Sequence, residues 1–349
     1  FFLKSKIRAT RTGPIRISFL LVSFDVWKLH NVVMTMQRDE NFAVRLVLCP
    51  FISRGEDSES INLKSALNYA RSIGVEHYIG QNQSCDADRI LENSHVIYFE
   101  NPNNHTLSKY NYQNWLHKLT CYSIYSYRVS TFFKYEYGNI CGQIVWKNFV
   151  ESEYHKSLSE KHGSARRNIV VTGFPRFEEY SYESNQIQND HKVRIIYAPH
   201  WTIPGAQSTG LNWSTFLNYH EAIISFAQEN EDYVDLVIKP HPHLKETLSK
   251  QRVWGEKKTE EFFCSFKGRQ NIRLVQHEGY VDLFKKADVL IHDSGGFLVE
   301  FLALNKPCAF LIHHDISKEI IPSRYNQMGR IALESHELIN DSLQLRKYM

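Results

Sequence analysis

The stretches IKPHP (residues 238–242) and IHDSGG (residues 291–296) decide the fold that we expect for this chain. Each one ends an apolar run and changes at once to polar and small residues. In an open, mostly parallel α/β sheet, ligands bind at the carboxyl ends of the strands. One predicted strand therefore delivers His241 to a crevice, and a second one delivers a Ser-Gly-Gly turn.

The run FLVEFLALNKP (residues 297–307) follows this turn with the apolar spacing of a helix. Ser294, Gly295 and Gly296 are thus predicted at a helix N-terminus, where backbone N–H groups favour an anion. A phosphate-bearing ligand is the economical interpretation. An ordinary strand-to-helix turn is the alternative, because glycine suits any tight turn. The Lys-Pro-His-Pro stretch has its own alternative, a rigid loop in which proline stops a strand.

Length and composition indicate a globular chain of two domains. The chain has 349 residues, 42% of them hydrophobic and 23% charged, which exceeds one compact core and is not typical of disorder. A net charge of only +3 argues against nucleic acid as a partner.

The six cysteines show no metal-ligand or CxxC spacing, so we expect buried thiols in a reducing compartment. The N-terminus lacks the long apolar segment of a signal peptide, and the run at residues 15–24 is too short to cross a membrane. We expect a cytoplasmic protein, with peripheral association at the inner face of the membrane left open. The sequence starts without Met, and from this we expect part of a longer, multidomain chain.

Both halves alternate short apolar runs with helical patterns, which predicts βαβ units and parallel sheets. The aromatic segment at residues 124–139 is β-prone, and we expect it to end a strand. A polar stretch, SYESNQIQND, separates the two series. We therefore expect an N-terminal Rossmann-like domain at residues 1–175, a linker at 176–192 and a C-terminal Rossmann-like domain at 193–349.

The motifs IIYAPHW (195–201), IKPHP, HDSGG (292–296) and Glu300 with LALNKP (302–307) together resemble the CDP-glycerol glycerophosphotransferase, or teichoic acid polymerase-like, family. The resemblance covers roughly the last two-thirds of the chain. It implies an α/β, GT-B fold, with two Rossmann-like doubly wound domains facing across a cleft. It also implies a nucleotide-activated donor bound mainly by the C-terminal domain. Carried over by position, His241 would contact the donor phosphate or assist the leaving group, and residues 294–296 would bind the diphosphate.

The sequence departs from that family in one respect, because no Trp-His-Gly-Thr-Pro motif stands in its N-terminal half. Two other families share parts of the pattern. Glu136-Tyr137-Gly138 is similar to the acidic-x-Gly motif of bacterial sialyltransferases and capsule polymerases, which use a CMP-activated sugar. Asp293 to Gly296, with Glu300, resembles the Asp-Ser-Gly-Gly turn of UDP-N-acetylglucosamine 2-epimerases.

A transferase of this kind needs a grip on the donor phosphates, a base for the acceptor hydroxyl and stabilisation of the leaving group. Three further residues have a possible role in this site and an alternative. Lys239 could add positive charge near the phosphate, or it could simply be exposed. Glu300 could bond the ribose hydroxyls or be a solvated helix carboxylate, and His200 could line the cleft or have a structural role. No Asp-x-Asp motif that would hold a divalent ion between diphosphate oxygens lies in the predicted C-terminal donor domain, so we expect no metal and no cofactor. His313-His314-Asp315 we assign to a loop.

Glu136 is the first candidate for the base, because its aromatic surroundings could raise its pKa by desolvation. An exposed loop glutamate is the alternative. Asp25 and His30, which follow the first strand, are the next candidates.

The expected function is transfer of a glycosyl or polyol-phosphate group from a CDP-, CMP- or UDP-linked donor to a cell-surface glycan, lipid-linked glycan or glycopolymer. The resemblance places such a reaction in the biosynthesis of cell-envelope or capsule polysaccharides, and we expect it to be inverting and metal-independent. Two alternatives stay open: a UDP-sugar 2-epimerase-like isomerase, and a non-catalytic module that binds nucleotide sugars or glycans.

Overall fold

The computed structural model describes residues 12–52, 56–81, 85–103, 105–163, 167–181, 192–206, 212–276, 279–313 and 321–349. The chain divides into two compact units. Unit 1 comprises residues 1–128 and 132–179, and unit 2 comprises residues 129–131 and 180–349. Most of the expected linker, residues 182–191, lies outside the described residues.

Unit 1 contains a parallel sheet of seven strands in the order β3-β2-β1-β4-β5-β6-β7. The strands are β1 Ile15–Leu21, β2 Phe42–Leu48, β3 Glu76–Ile79, β4 Val96–Phe99, β5 Leu119–Ser123, β6 Lys147–Val150 and β7 Ile169–Val171. The order reverses between β1 and β4, which is the switch point of a doubly wound sheet. The sheet is the centre of unit 1, because β1, β2, β4 and β5 are largely buried.

The helices of unit 1 connect these strands. They are α1 His30–Gln37, α2 Glu56–Ser72, α3 Cys85–Glu92, α4 Phe133–Glu136, α5 Ile140–Ile144, α6 Glu153–His162 and α7 Phe177–Ser181. Short 3₁₀ turns occupy Phe24–Val26, Ser108–Tyr110 and Tyr112–Trp115. Gly74, with φ of 64°, follows α2 in the left-handed conformation that often ends a helix.

Unit 2 repeats the same strand order with six parallel strands, β10-β9-β8-β11-β12-β13. They are β8 Val193–Ala198, β9 Val234–Ile238, β10 Ile272–Leu274, β11 Val289–His292, β12 Cys308–Leu311 and β13 Glu337–Ile339. The switch point here lies between β8 and β11, which pair directly. Alternate residues of β8 and β9 pack into one buried apolar cluster with helix Phe216–Glu229.

The helices of unit 2 are α8 Phe216–Glu229, α9 Leu244–Ser249, α10 Gly255–Cys264, α11 Tyr280–Lys286, α12 Phe297–Glu300, α13 Gln327–Glu334 and α14 Ser342–Tyr348. Two 3₁₀ turns, Phe301–Leu304 and Ile321–Arg324, complete the unit. The segment Val129–Thr131 also belongs to it, since Ser130 forms an isolated antiparallel bridge with Tyr325.

The aromatic segment at residues 124–139 does not end a strand, and that prediction is wrong. Strand β5 stops at Ser123, and Phe133–Glu136 forms a single helical turn. The aromatic side chains that gave the segment its β-propensity pack locally instead, as the rings of Phe133 and Tyr137 do at 6.1 Å between centroids. Tertiary packing thus overrides strand propensity here.

The cysteines largely follow the expectation. Among the described side chains, Cys49, Cys121, Cys141 and Cys308 are buried free thiols. Cys264 is an exposed thiol and departs from it.

Candidate functional site

The carboxyl ends of three adjacent strands of unit 2 bring predicted site residues together. His200 follows β8, His241 follows β9 and Ser294 follows β11. The backbone N–H of His241 donates to the carbonyl oxygen of Pro199 at 3.0 Å, and the ring centroids of His200 and His241 lie 5.1 Å apart. Because β8 and β11 flank the switch point, this edge is where an open α/β sheet is expected to bind a ligand.

His241 is half-buried, and its ring has a defined tautomer. Its Nδ1 accepts a hydrogen bond from the backbone N–H of His243 at 3.1 Å. The neutral ring therefore carries its proton on Nε2, which makes Nε2 a donor. The ring also packs against Trp201, with 5.9 Å between centroids, and is stacked on His243 at 5.6 Å.

His200 is held as a neutral imidazole. Burial, and secondarily the charge of His243, lower the pKa of His200 to about 3. Its Nδ1 accepts from the backbone N–H of Thr202 at 3.3 Å and lies 2.9 Å from the hydroxyl of the same residue. The proton of this ring is consequently on Nε2 as well.

Asp293 joins the loop after β8 to the end of β11. Its side chain is fully buried, and Oδ1 accepts the backbone N–H of His200 at 2.5 Å. Its Oδ2 accepts both the backbone N–H and the hydroxyl of Thr215, at 2.6 and 2.9 Å. Burial raises the pKa of Asp293 to about 6, although these bonds oppose the shift. Asp293 thus ties the turn to its own unit.

The Ser-Gly-Gly turn leads into a helix that is shorter than predicted. Helix α12 makes one turn, continues as a 3₁₀ turn and ends at Asn305, whose φ of 52° is left-handed. The backbone N–H groups of Gly295 and Gly296 have no hydrogen-bond acceptor within the described part of the chain. These two groups and the half-exposed Ser294 hydroxyl are the donors that the turn offers to a ligand.

Gly295 is required by packing within unit 2. A Cβ atom at this position would lie 2.4 Å from Cζ3 of Trp213. A Cβ at Gly296 would lie 3.8 Å from the Ser294 hydroxyl, which is ordinary contact. The two glycines therefore differ, and Trp213 forms one wall of the turn.

Glu300 and Lys239 are engaged inside the unit. Glu300 is 1% exposed, and its Oε2 accepts from the hydroxyls of Tyr280 at 2.6 Å and Tyr180 at 3.2 Å. Lys239 is 7% exposed, and its ammonium donates to the carbonyl of Gln276 at 3.2 Å. The alternatives of a solvated helix carboxylate for Glu300 and an exposed lysine for Lys239 are wrong, because both side chains are buried.

His313 follows β12 in a loop, and His314 and Asp315 lie outside the described residues. Three or more His, Cys, Asp or Glu side chains arranged to hold a metal ion do not occur among the described residues. Nor does this part of the chain contain a helix long and apolar enough to cross a membrane.

Two base candidates of unit 1 lie beyond the end of β1. Asp25 is half-buried in the 3₁₀ turn Phe24–Val26. His30 begins α1, and its Nδ1 lies 3.1 Å from the hydroxyl of Tyr69. Burial, and then the charges of Arg176 and Arg38, lower the pKa of His30.

Glu136, the first candidate, is the last residue of the one-turn helix α4 and is half-buried. Its backbone carbonyl accepts from the side-chain amide of Asn139 at 2.9 Å and from Arg128 at 3.4 Å. It does not follow a strand of the sheet, so the sequence argument that placed it at a strand end fails.

Glu100 is a residue that the sequence argument missed. It follows β4 directly, on the other side of the unit 1 switch point from β1. It is 1% exposed, and its Oε2 accepts the backbone N–H of Lys28 at 3.4 Å. Burial raises the pKa of Glu100 to about 8, while Lys28 and Arg176 oppose the shift. In the sequence, Glu100 directly follows the apolar run VIYF, and this pattern could have identified it as a polar residue at a strand end.

The sequence model of a family described as CDP-Glycerol:Poly(glycerophosphate) glycerophosphotransferase matches residues 146–318. The match contains the ends of β8, β9 and β11, and with them His200, His241 and the Ser-Gly-Gly turn. The expected resemblance to this family is confirmed. The match supports a transferase that uses a nucleotide-activated donor and a glycopolymer acceptor. Asp25, His30, Glu100 and Glu136 lie before it.

Solved structures share the fold at low sequence identity. The wall teichoic acid polymerase TagF is 11% identical with a TM-score of 0.61, over 96% of this chain and 79% of that one. The UDP-GlcNAc 2-epimerase of Methanocaldococcus jannaschii is 13% identical with a TM-score of 0.55, over 96% of this chain and 91% of that one. That of Neisseria meningitidis is 14% identical, also with a TM-score of 0.55, over 96% and 90%. No curated protein matches the sequence. The α/β, GT-B fold class of two Rossmann-like units is confirmed.

Proposed function

We propose that this chain transfers a polyol-phosphate or glycosyl group from a nucleotide-activated donor to a glycan or glycopolymer acceptor. One observation carries the proposal: His200, His241 and the Ser-Gly-Gly turn meet at the switch point of unit 2, inside the segment that matches the glycerophosphotransferase family. CDP-glycerol is the first donor to test, because the family description names it.

The donor phosphates are assigned to the turn at residues 294–296. The N–H groups of Gly295 and Gly296 and the hydroxyl of Ser294 would bind phosphate oxygens, which are hydrogen-bond acceptors only. His241 would donate its Nε2–H to an oxygen of the leaving group as negative charge develops there. Neutral His200 and buried Asp293 would position the turn and keep the site preorganised.

The acceptor hydroxyl needs a base, for which Glu136 remains the first proposal and Asp25 and His30 the next. The base takes the hydroxyl proton while the acceptor oxygen attacks the donor. With CDP-glycerol, the oxygen would bond to the β-phosphorus, the P–O bond to the bridging oxygen would break and CMP would leave. With a UDP-sugar, attack at the anomeric carbon would release UDP, and an in-line attack would invert that centre.

The released nucleotide therefore identifies the reaction. We would incubate the protein with CDP-glycerol, a CMP-sugar or UDP-GlcNAc, with and without a glycerophosphate-primed acceptor, and follow the nucleotide products and calorimetric binding. Release of CMP from CDP-glycerol only when acceptor is present is the expected result. Activity should persist in a chelator, since the proposal uses no metal.

Two outcomes would replace the proposal. Conversion of UDP-GlcNAc without any acceptor would favour the epimerase reaction, a candidate because the 2-epimerases named above share the fold. Tight binding of a nucleotide without turnover, even with acceptor glycans, would favour a binding module. Attachment of the protein to anionic vesicles would test the peripheral membrane association that the sequence leaves open.

A further inference from the structure

Two buried histidines of unit 2 form a hydrogen-bonded chain that ends on the Ser-Gly-Gly turn. Nε2 of His292, the last residue of β11, lies 3.1 Å from Nε2 of His336, which follows α13. Nδ1 of His336 lies 2.8 Å from the carbonyl oxygen of Ala332. At the other end, the backbone N–H of Ser294 donates to Nδ1 of His292 at 3.2 Å. His292 is 0% exposed and His336 is 7% exposed.

Three of the four contacts along this chain agree on one arrangement of its protons. A carbonyl oxygen can only accept, so Nδ1 of His336 carries a proton. Burial lowers the pKa of both rings, so each is neutral and has one N–H. Nε2 of His336 is then an acceptor, and Nε2 of His292 must donate to it. Nδ1 of His292 is left without a proton and accepts the N–H of Ser294.

We propose that His336 and His292 are positioning residues for phosphate binding: through their single tautomeric arrangement they hold the backbone of Ser294, and so aim the N–H groups of Gly295 and Gly296 at the donor. This inference rests on the proposed function. His292 holds the turn from one side and Asp293, through His200 and Thr215, holds it from the other.

The arrangement also determines which backbone N–H groups of the turn can bind a ligand. The N–H of Ser294 is used internally, and only those of Gly295 and Gly296 have no acceptor within the described residues. A water or a protonated His292 could not accept from Ser294 in the same fixed direction. Nδ1 of His292 also lies 3.0 Å from the carbonyl oxygen of Ser294. A proton on Nδ1 would therefore be donated to that oxygen, and the backbone N–H of Ser294 would lose its acceptor.

The first test reads the tautomers in the full-length wild-type protein. Nuclear magnetic resonance of the protein labelled with ¹⁵N-histidine should show His292 protonated at Nε2 only and His336 protonated at Nδ1 only. The opposite tautomer on either ring, or a charged ring at pH 7, would overturn the proposal. This measurement needs no substrate, so it stands even if the proposed function fails.

The second test uses paired variants and calorimetric binding of CDP. Asparagine at position 292 can place its amide oxygen where Nδ1 accepts, whereas His292→Leu cannot accept at all. Glutamine at position 336 can likewise accept from His292, whereas His336→Leu cannot. Loss of one such hydrogen bond corresponds to about tenfold in Kd. We expect both leucine variants to bind CDP about tenfold more weakly, and His292→Asn and His336→Gln to stay within about threefold of wild type.

Thermal unfolding of the same four proteins separates positioning from general stability. If CDP affinity followed the unfolding midpoint rather than the presence of an acceptor, the two residues would be merely structural and the proposal would be wrong. Weaker binding in the leucine variants with an unchanged kcat would support it. Absence of CDP, CMP and UDP binding in the wild type would instead refute the proposed function.

Discussion

Gly295 and Gly296 stand side by side, but the environment of each predicts a different tolerance to a methyl group. Gly295→Ala would place Cβ against the ring of Trp213, and the ring or the turn must move. Overpacking of this kind typically costs about 1–3 kcal/mol. We expect Gly295→Ala to lower the unfolding midpoint and to weaken CDP binding by at least about tenfold. Calorimetry and thermal unfolding measure both effects.

Gly296→Ala is the matched control, since its Cβ meets only the Ser294 hydroxyl at ordinary distance and its φ is −63°. It should change neither quantity appreciably. Equal losses in the two variants would mean that the Trp213 contact does not explain the glycine. The sequence predicted both glycines in an anion-binding turn and did not distinguish between them. The structure supplies a reason that the sequence could not, because Trp213 is 82 residues away in the chain (295 minus 213).

Glu100 should make the stability of the protein depend on pH. Its folded pKa is about 8, against an ordinary value of 4.5, so the folded state binds its proton more tightly than the unfolded state. The stabilisation is complete below about pH 4.5 and is lost as pH rises through about 8. Glu100→Gln cannot titrate and should escape this loss. Relative to wild type, its free energy of unfolding should rise by about 2–4 kcal/mol between pH 5 and pH 8.

Urea unfolding at several pH values would measure this difference. Glu153→Gln is a suitable control, because the Glu153 side chain is 77% exposed. A difference between Glu100→Gln and wild type that stayed constant from pH 5 to pH 8 would show that Glu100 is already ionised in the folded protein.

At the scale of elements, a buried ion pair joins the segment after β5 to the end of β6. Glu151 accepts from Nε of Arg128 at 3.0 Å and from its backbone N–H at 3.2 Å, and the side chains are 4% (Arg128) and 2% (Glu151) exposed. Arg128 also lies over the ring of Tyr137 at 4.3 Å, and its carbonyl lies 3.0 Å from Nε2 of His155 in α6. These contacts hold β6 and α6 to the segment that contains the short helix α4 and Glu136.

Removal of one partner leaves a buried charge without its counter-charge. Glu151→Leu alone should therefore destabilise the protein by about 3–5 kcal/mol. The double replacement of Arg128 by Met and Glu151 by Leu should cost clearly less, because no charge is then left buried. Chemical unfolding of the wild type, Glu151→Leu, Arg128→Met and the double variant tests this. A double variant as unstable as the sum of both single variants would contradict it.

The elements that could be predicted from sequence are those whose signal is local. The strands β8, β9 and β11 are short apolar runs that end abruptly in polar residues, and their parallel pairing follows from the alternation with helices. The same local signal gave a wrong prediction for the segment that contains Glu136. Aromatic residues favour a strand, but in this segment they pack around a helical turn instead.

Other site features depend on contacts that are distant in sequence. The bonds of Glu300 to Tyr180 and of His292 to His336 join residues 120 and 44 positions apart. Neither pair produces a periodic pattern or a motif. The sequence could indicate that a helix-start glutamate and a strand-end histidine are present, but it could not indicate what they touch.

At the scale of the whole molecule, both units have the Rossmann strand order and each has its own switch point. The family match begins at residue 146 and ends at 318, so it covers the switch-point edge of unit 2 and leaves that of unit 1 outside. In the proposed function, the donor binds to unit 2 and the candidates for the base belong to unit 1. Substitutions in the two units should then affect different kinetic quantities.

The last prediction tests this division in the full-length protein. His241→Ala removes a group that we assign to the donor phosphate, so it should weaken CDP-glycerol binding and lower kcat. Glu136→Gln removes a base for the acceptor, so it should lower kcat while the Kd of CDP-glycerol stays unchanged. Loss of a positioned acid or base typically costs about 10²–10⁴-fold in rate. Calorimetry gives the Kd, and CMP release in the presence of acceptor gives kcat. Wild-type turnover in Glu136→Gln would exclude that residue as the base, and Asp25→Asn would then be the next variant to measure, because Asp25 lies beyond the end of β1 at the unit 1 switch point.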